Sequence, residues 1–198
     1  MLINENEIET CTGRFVDVMN PDPDTIDIED ITYSLSSICR FNGHSRYSYS
    51  VAQHSVMVSI LMTDKLGDYR EVGLWGLLHD AAEAYIGDIP RPVKHNFDGV
   101  REMEAGLMEA IAKRFDLPYP CPWKDTLKTC DNIALVSEAR CLMPSRGKGY
   151  PDKLLALDNG MKLDNGIPTN FFNRFNALNT YVWFSTDRAR SLGSGYFK

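Results

Sequence analysis

Leu77-Leu78-His79-Asp80-Ala81-Ala82-Glu83 closes a strongly apolar run and sets an imidazole directly beside a carboxylate, with a second carboxylate just beyond. The chain has four histidines; another, His54, lies upstream in Val51-Ala52-Gln53-His54-Ser55, and Asp131 opens the stretch Asn132-Ile133-Ala134-Leu135-Val136. Together His54, His79, Asp80 and Asp131 make a mixed nitrogen and oxygen donor set of the kind that suits a divalent transition metal such as Zn, Mn, Fe or Co. A metal held that way lowers the pKa of a bound water to about 7, which is hydrolytic equipment. Each residue also has a plainer reading. His54 alone fits a hydrogen-bonded structural histidine, and Asp131 fits an acidic residue favoured by a helix N-terminus. Glu83 fits a solvated charge, Arg40, Arg91 and Lys94 fit surface cations, and Phe41 fits a core aromatic. Only their joint arrangement favours a site.

Working outward, the helical period dominates. Arg70 to Tyr85 carries Val72, Leu74, Trp75, Leu77 and Leu78, apolar around much of its circumference, which predicts a buried helix with His79, Asp80 and Glu83 on its last turns. On such a helix His79 and Glu83 share a side, whereas the adjacent His79 and Asp80 diverge by about 100°. Ser50 reads as the N-cap of a helix over about 51–65. Ile31, Leu35 and Ile38 repeat at helical spacing after the acidic start at 27–30. Gly87-Asp88-Ile89-Pro90-Arg91-Pro92 cannot continue a helix, because proline removes a donor and clashes with the preceding turn. Helices are expected again near 100–115 and 122–143, then a surface loop over 144–166, a final helix near 170–184 and a polar tail. Residues 9–19 alternate and run into Asn20-Pro21-Asp22-Pro23-Asp24, which predicts a small edge β-hairpin. The expected fold is mainly α, a single helical bundle over residues 1–198 with a small N-terminal β-hairpin.

Composition narrows the partners. The chain has 198 residues, 43% hydrophobic and 24% charged, which fits one domain with a sizeable core. A formal charge of -6 argues against duplex nucleic acid as the main ligand. It also means that an anionic small molecule needs local positive charge. The N-terminus lacks a basic segment followed by an apolar run, so no signal peptide is expected. Nor is a membrane span, since no stretch approaches roughly 18 consecutive apolar residues. Cys11, Cys39, Cys121, Cys130 and Cys141 are odd in number and lack CxxC pairing, as expected of reduced thiols in a cytoplasmic protein.

At the level of whole motifs, His54, His79-Asp80 and Asp131 resemble the H…HD…D signature of the HD-domain metal-dependent phosphohydrolases. The likeness extends further. Asp30-Ile31-Thr32-Tyr33-Ser34-Leu35-Ser36-Ser37-Ile38-Cys39-Arg40-Phe41-Asn42-Gly43-His44 and Tyr49-Ser50-Val51-Ala52-Gln53-His54 look like the front half of the deoxynucleotidase branch. The block from His79 through Asp88-Ile89-Pro90-Arg91-Pro92-Val93-Lys94 resembles that branch's central motif. The resemblance covers about residues 9–143, and 144–198 add little to it. Within the branch the chain is similar to phage dATP triphosphohydrolases (the DatZ type) and to bacterial 5′-deoxynucleotidases (the YfbR type).

That resemblance implies a helical HD-domain enzyme converting dATP and water to deoxyadenosine and triphosphate. It implies a metal (Zn, Co or Mn) on His54, His79, Asp80 and Asp131, and a catalytic Glu83 that orients or deprotonates water. Asp88 would help hold additional Mg or Co with the phosphates. Arg40 and Lys94 would meet phosphate oxygens, and Phe41 and Pro92 would wall the base. Phe41 stands where many relatives have Trp, which bears on base selectivity. Similar enzymes assemble as dimers or hexamers, and a phage-encoded copy would act in the host cytoplasm. Physical chemistry is consistent with these roles: arginine offers a fork of donors to phosphate, lysine a point charge, and the prolines stiffen the segment that carries Lys94. Three alternatives remain: a broader 5′-deoxynucleotidase acting on monophosphates, a non-catalytic nucleotide- or metal-binding regulator, and an alarmone hydrolase. Glu83 disfavours the regulator, since binding alone needs no water-activating carboxylate, and the 30–54 block speaks against the alarmone hydrolase.

Overall fold

Helix α2 (Val51–Leu66) is the member around which the others assemble. Its start is fixed as the sequence predicts: the Ser50 hydroxyl accepts from Gln53 N while the Gln53 side chain accepts from Ser50 N. This capping box satisfies two backbone donors that a helix start leaves unpaired. The computed structural model describes residues 5–67, 69–150, 171, 173–176 and 178. Ahead of α2, strands β1 (Glu7–Glu9) and β2 (Phe15–Asp17) pair antiparallel with Ile8 opposite Val16, and α1 (Ile28–Ser37) is capped by Asp27. After it come α3 (Arg70–Leu78), the short helices α4 (Glu83–Ile86) and α5 (Arg91–Lys94), and the long helices α6 (Asp98–Arg114) and α7 (Lys124–Leu142). The architecture is therefore mainly helical with one small N-terminal sheet, as expected. Among the described residues no helix is long and apolar enough to cross a membrane, and the five cysteines are free thiols.

Three expectations need correction. The hairpin is present, but its turn lies at Thr10–Arg14, closed by Thr10 N to Arg14 O, and not at the proline-rich segment 20–24. There Asp22 instead caps a 3₁₀ turn over Pro23–Thr25 that leads toward α1. Second, the helix from Arg70 does not run through Tyr85. It stops at Leu78, and the backbone continues in tight turns, with Ala81 N bonded to Leu78 O and Glu83 N to Asp80 O. These are three-residue closures, which wind more tightly than an α-helix. Third, proline does interrupt the chain at 87–90, but Pro92 then sits in the first turn of α5, where its missing N–H costs nothing. The loop expected at 144–166 is turn-rich as far as Tyr150. Its remainder and the polar tail lie outside the described residues, while 171, 173–176 and 178 are helical within the final helix expected.

The main core joins Ile31 and Leu35 of α1, Leu74, Leu77 and Leu78 of α3, and Leu107 and Ile111 of α6, all fully buried. A smaller cluster of Val58, Met62, Cys130 and Ala134 fastens α2 to α7. Helices α2 and α3 touch at backbone range: a Cβ placed on Gly76 would lie 2.6 Å from Ser59 Cα and 2.9 Å from Ser59 N. The Ser59 hydroxyl donates to Gly73 O at 2.7 Å, so a polar contact locks the same interface.

Gly76→Ala should therefore destabilise the fold by about 1–3 kcal/mol, the usual cost of overfilling a packed contact. Gly106→Ala in α6, where an added Cβ meets nothing within 4 Å, should instead stabilise by about 0.5–1 kcal/mol. Urea unfolding of the two variants checks both signs. A neutral Gly76→Ala would mean that the helices can part without cost.

Candidate metal centre and cleft

The packing of α2 against both α3 and α7 decides where the titratable groups meet. His54 lies in the first turn of α2 and is wholly buried. The His79-Asp80 pair follows the last turn of α3, and Asp131 comes from α7. His54 Nε2 lies 3.2 Å from Asp131 Oδ1 and 3.6 Å from Asp80 Oδ2, and His79 Nε2 lies 3.0 Å from the same Asp80 oxygen. The two imidazole centroids are 5.2 Å apart. One ligand atom each from His54, His79 and Asp131 falls within 4.8 Å of the others, a spacing that can hold a metal ion. His79 and Asp80 are consecutive residues in the tight turns after α3, and both nevertheless reach the same cluster, His79 Nε2 meeting Asp80 Oδ2 directly.

Hydrogen bonding on the far side of each ring favours ligation. A carbonyl can only accept, so His79 Nδ1 carries the proton that it donates to Gly76 O at 2.9 Å. His54 Nδ1 likewise faces the Glu138 carboxylate at 2.7 Å. Both Nε2 atoms are left as the inward-facing nitrogens, buried and without a hydrogen bond of acceptable geometry. Buried polar atoms are normally satisfied. Two orphaned imidazole nitrogens beside two carboxylates therefore fit a divalent cation better than a hydrogen-bonded core.

Glu83 opens α4 close by and is 3% exposed; its Oε2 is also buried without a partner. Burial, Asp80 and Asp88 push its pKa up to about 9. Burial and Arg40 work against a charged His54, yet Glu138 and Asp131 outweigh them and raise it to about 9. Burial also opposes the charge on Asp80 and Asp131, but the histidines hold both below the usual carboxylate range. Asp88 is raised, first by burial.

These groups lie at a cleft of about 660 Å³. Arg40, Phe41, Asp80, Glu83, Asp88, Pro92, Lys94 and Asp131 all line it, so every expected site residue except the two histidines borders this one space. Arg40 is buried, gives its Nε to Glu138 at 3.1 Å, and lies 5.7 Å from the Phe41 ring centroid. Phe41 and Asn42 are held at φ of 55° and 50°, a strained conformation for non-glycine residues. Lys94 is already engaged, by Glu104 at 2.8 Å and Glu83 at 3.4 Å. Sequence reasoning missed Glu138 and Glu104, and left Arg91 as a surface cation although it borders the cleft. Glu138 had a readable signal, since it follows Asp131 by two helical turns and so shares its face. Nothing local marked Glu104, whose partner is brought by a separate short helix.

Two bacterial proteins resemble the chain along most of its length. Over 145 residues the chain is 38% identical to the uncharacterized protein YfdR of Escherichia coli (strain K12), covering 73% of this chain and 76% of that one. It is also 38% identical over 164 residues to the uncharacterized protein RCAP_rcc00048 of Rhodobacter capsulatus, covering 77% and 84%. The chain belongs to the family of these two bacterial proteins. No family model matches it. Among solved structures, the cyanophage S-2L HD phosphohydrolase DatZ, bound to dA and one catalytic Zn2+ ion, superposes with a TM-score of 0.51 at 19% identity. The match covers 78% of this chain and 98% of that one, so this chain has the HD-type fold.

The raised groups predict a pH dependence. A folded-state pKa above the ordinary value means that the folded chain holds protons the unfolded chain has released. The stabilisation from His54 is full below its ordinary 6.5 and is lost as pH rises through about 9. Glu83 acts in the same direction, its cost growing from 4.5 upward to about 9. Metal-stripped protein should thus lose stability between these limits in urea titrations. Zinc should restore stability at the alkaline end, because metal takes the nitrogen that the proton leaves. At a hundredfold excess over Kd the gain is about 2.7 kcal/mol. Asp131→Asn should remove most of it. A profile that stays flat in pH and indifferent to zinc would count against the site.

Proposed function

We propose that the chain is a metal-dependent deoxynucleotide phosphohydrolase whose preferred reaction is dATP and water to deoxyadenosine and triphosphate. The observation that carries this reading is the convergence of His54, His79, Asp80 and Asp131, with unpartnered Nε2 atoms, beside a cleft that also holds Glu83 and the cations Arg40, Arg91 and Lys94. Support comes from the shared fold of DatZ, whose structure holds dA and one catalytic Zn2+.

A divalent metal held by the two histidines and two aspartates would supply Lewis acidity and bring the pKa of water toward neutrality. The remaining work falls to the chain. Arg40, clamped by Glu138, presents its terminal nitrogens to the α-phosphate, where charge builds in the transition state. Glu83, its raised pKa lowered and its carboxylate freed by the charge of a bound metal, would take a proton from the attacking water and pass it to the departing 5′-oxygen. The bond from the α-phosphorus to that oxygen breaks, so the nucleoside leaves as an alcohol and the tail leaves as triphosphate. A buried carboxyl with a raised pKa suits such a role. Phe41 and Pro92 offer an apolar slot for a flat base, where stacking is worth on the order of 1–3 kcal/mol. Asp88 would help hold an additional divalent ion, which would supply further positive charge for the phosphates.

Chromatography of products from a panel of dNTPs and dNMPs with zinc, cobalt or manganese tests the reaction: triphosphate is expected from dATP, with slower turnover of dCTP and dTTP. Glu83→Ala should keep the metal and lose about 10²- to 10⁴-fold in rate. A parent-like rate would remove Glu83 from the mechanism.

One observation favours a second reading, a 5′-deoxynucleotidase for monophosphates. Lys94 is committed to Glu104 and Glu83, which leaves Arg91 as the cleft cation without an ion pair among the described residues. If the substrate carries a phosphate tail, Arg91→Ala should cost about fivefold on dATP, as an exposed ion contact of roughly 1 kcal/mol would. It should cost little on dAMP. Release of orthophosphate, with equal losses on both substrates, would select the monophosphatase.

A further inference from the structure

We propose that Glu138 is a positioning residue that couples the metal centre to phosphate recognition, aiming His54 at the metal and Arg40 at the substrate with one carboxylate. The proposal rests on the metal-hydrolase reading above. Glu138 is 0% exposed and does not line the cleft, so it acts through other residues. Its two oxygens are divided between two tasks. Oε1 lies 2.7 Å from His54 Nδ1, and Oε2 accepts from Arg40 Nε at 3.1 Å.

The first contact keeps the His54 proton on Nδ1 and leaves the Nε2 lone pair facing Asp80 and Asp131. Had Nδ1 faced a donor, the proton would sit on Nε2 and the ring could not ligate. The second contact occupies the Arg40 Nε and leaves the two terminal nitrogens outside the Glu138 pairing. One of these already lies 3.8 Å from Asp80 Oδ2. Glu138 and Asp131 stand on one face of α7 two turns apart, so the helix that supplies a ligand also supplies the residue orienting a second ligand. Carboxylates behind a metal-binding histidine typically contribute 10- to 100-fold to metal affinity. Here the same side chain also restrains a phosphate-binding arginine, so its loss should affect two measurements that otherwise report on separate residues.

Zinc affinity, read by competition with a chromophoric chelator, and the KM for dATP distinguish this from a merely structural buried charge. Glu138→Ala should weaken zinc about 10- to 100-fold and raise KM as well. Arg40→Ala should raise KM and leave zinc affinity within a few-fold. In metal-free protein held above about pH 9, where the ring is neutral, nitrogen-15 spectra of His54 should show the Nδ1–H form in the parent and a mixture of tautomers in Glu138→Ala. If Glu138→Ala does not fold, Glu138→Gln serves: the neutral amide can still accept from Nδ1 but without the carboxylate's charge, so zinc affinity should fall about three- to tenfold while KM rises. Folded Glu138 variants that bind zinc as the parent does would overturn the proposal, as would an equal loss of zinc affinity in Arg40→Ala. A parent chain that neither binds zinc nor hydrolyses nucleotides would sink the metal-hydrolase reading instead.

Discussion

The backbone contact between α2 and α3 is the constraint on which the site depends. His54 and His79 come from different helices, yet their rings must face one point, and ring separation can be no better defined than helix separation. Gly76 against the Ser59 backbone, with the Ser59 hydroxyl on Gly73 O, leaves no room for the helices to slide. Close-packed interiors transmit such constraints because they contain few voids into which a displaced helix could settle. The apolar faces of α3 hold the pair in the core, and the polar ligands appear only where α3 ends.

A second constraint is electrostatic. Glu138 and His54 are wholly buried and Arg40 nearly so. A buried charge is tolerated only when it is paired and hydrogen-bonded. The His54–Glu138–Arg40 chain meets that requirement and continues to Asp80 through an Arg40 terminal nitrogen at 3.8 Å. Removing any member would leave a desolvated partner, which is why such groups hold their geometry more firmly than exposed ion pairs do.

Much of this was legible in the chain. The Ser50 cap and the apolar period of 70–78 located the two central helices, because capping and periodicity are local properties. Every residue singled out for the site borders the cleft or the ligand cluster, because the motif keeps the ligands at fixed places on those helices. What escaped was non-local or concerned a boundary. The helix from Arg70 carried no glycine or proline after Leu78 to mark its end, so the tight turns at 79–82 left no trace in the composition. The hairpin partner at 7–9 is too short for its alternation to stand out, and the prolines at 21 and 23 drew the turn to the wrong side of the strand. Glu104 meets Lys94 only through the packing of α5 on α6, which no spacing rule reports.

Charge arithmetic around the cleft ties these pieces to the chemistry. A protein of net charge -6 has no general attraction for a polyanion. The walls of the cleft do not reverse this: Asp80, Glu83, Asp88 and Asp131 face Arg40, Arg91 and Lys94, and Lys94 is already shared with Glu83 and Glu104. Protein charges alone thus leave the space close to neutral or slightly acidic, and the acidity is relieved only by holding Glu83 and His54 protonated. Under the proposed function, a divalent cation between the histidines and aspartates would change that balance, releasing the His54 proton and favouring phosphate oxygens near Arg40. On that reading an acidic protein could admit an anionic substrate without a basic surface, because the positive charge would be delivered at one point inside a carboxylate-lined cleft. The same arrangement explains why so few cations are needed, and why the one arginine beside the ligands is buried and fixed in direction.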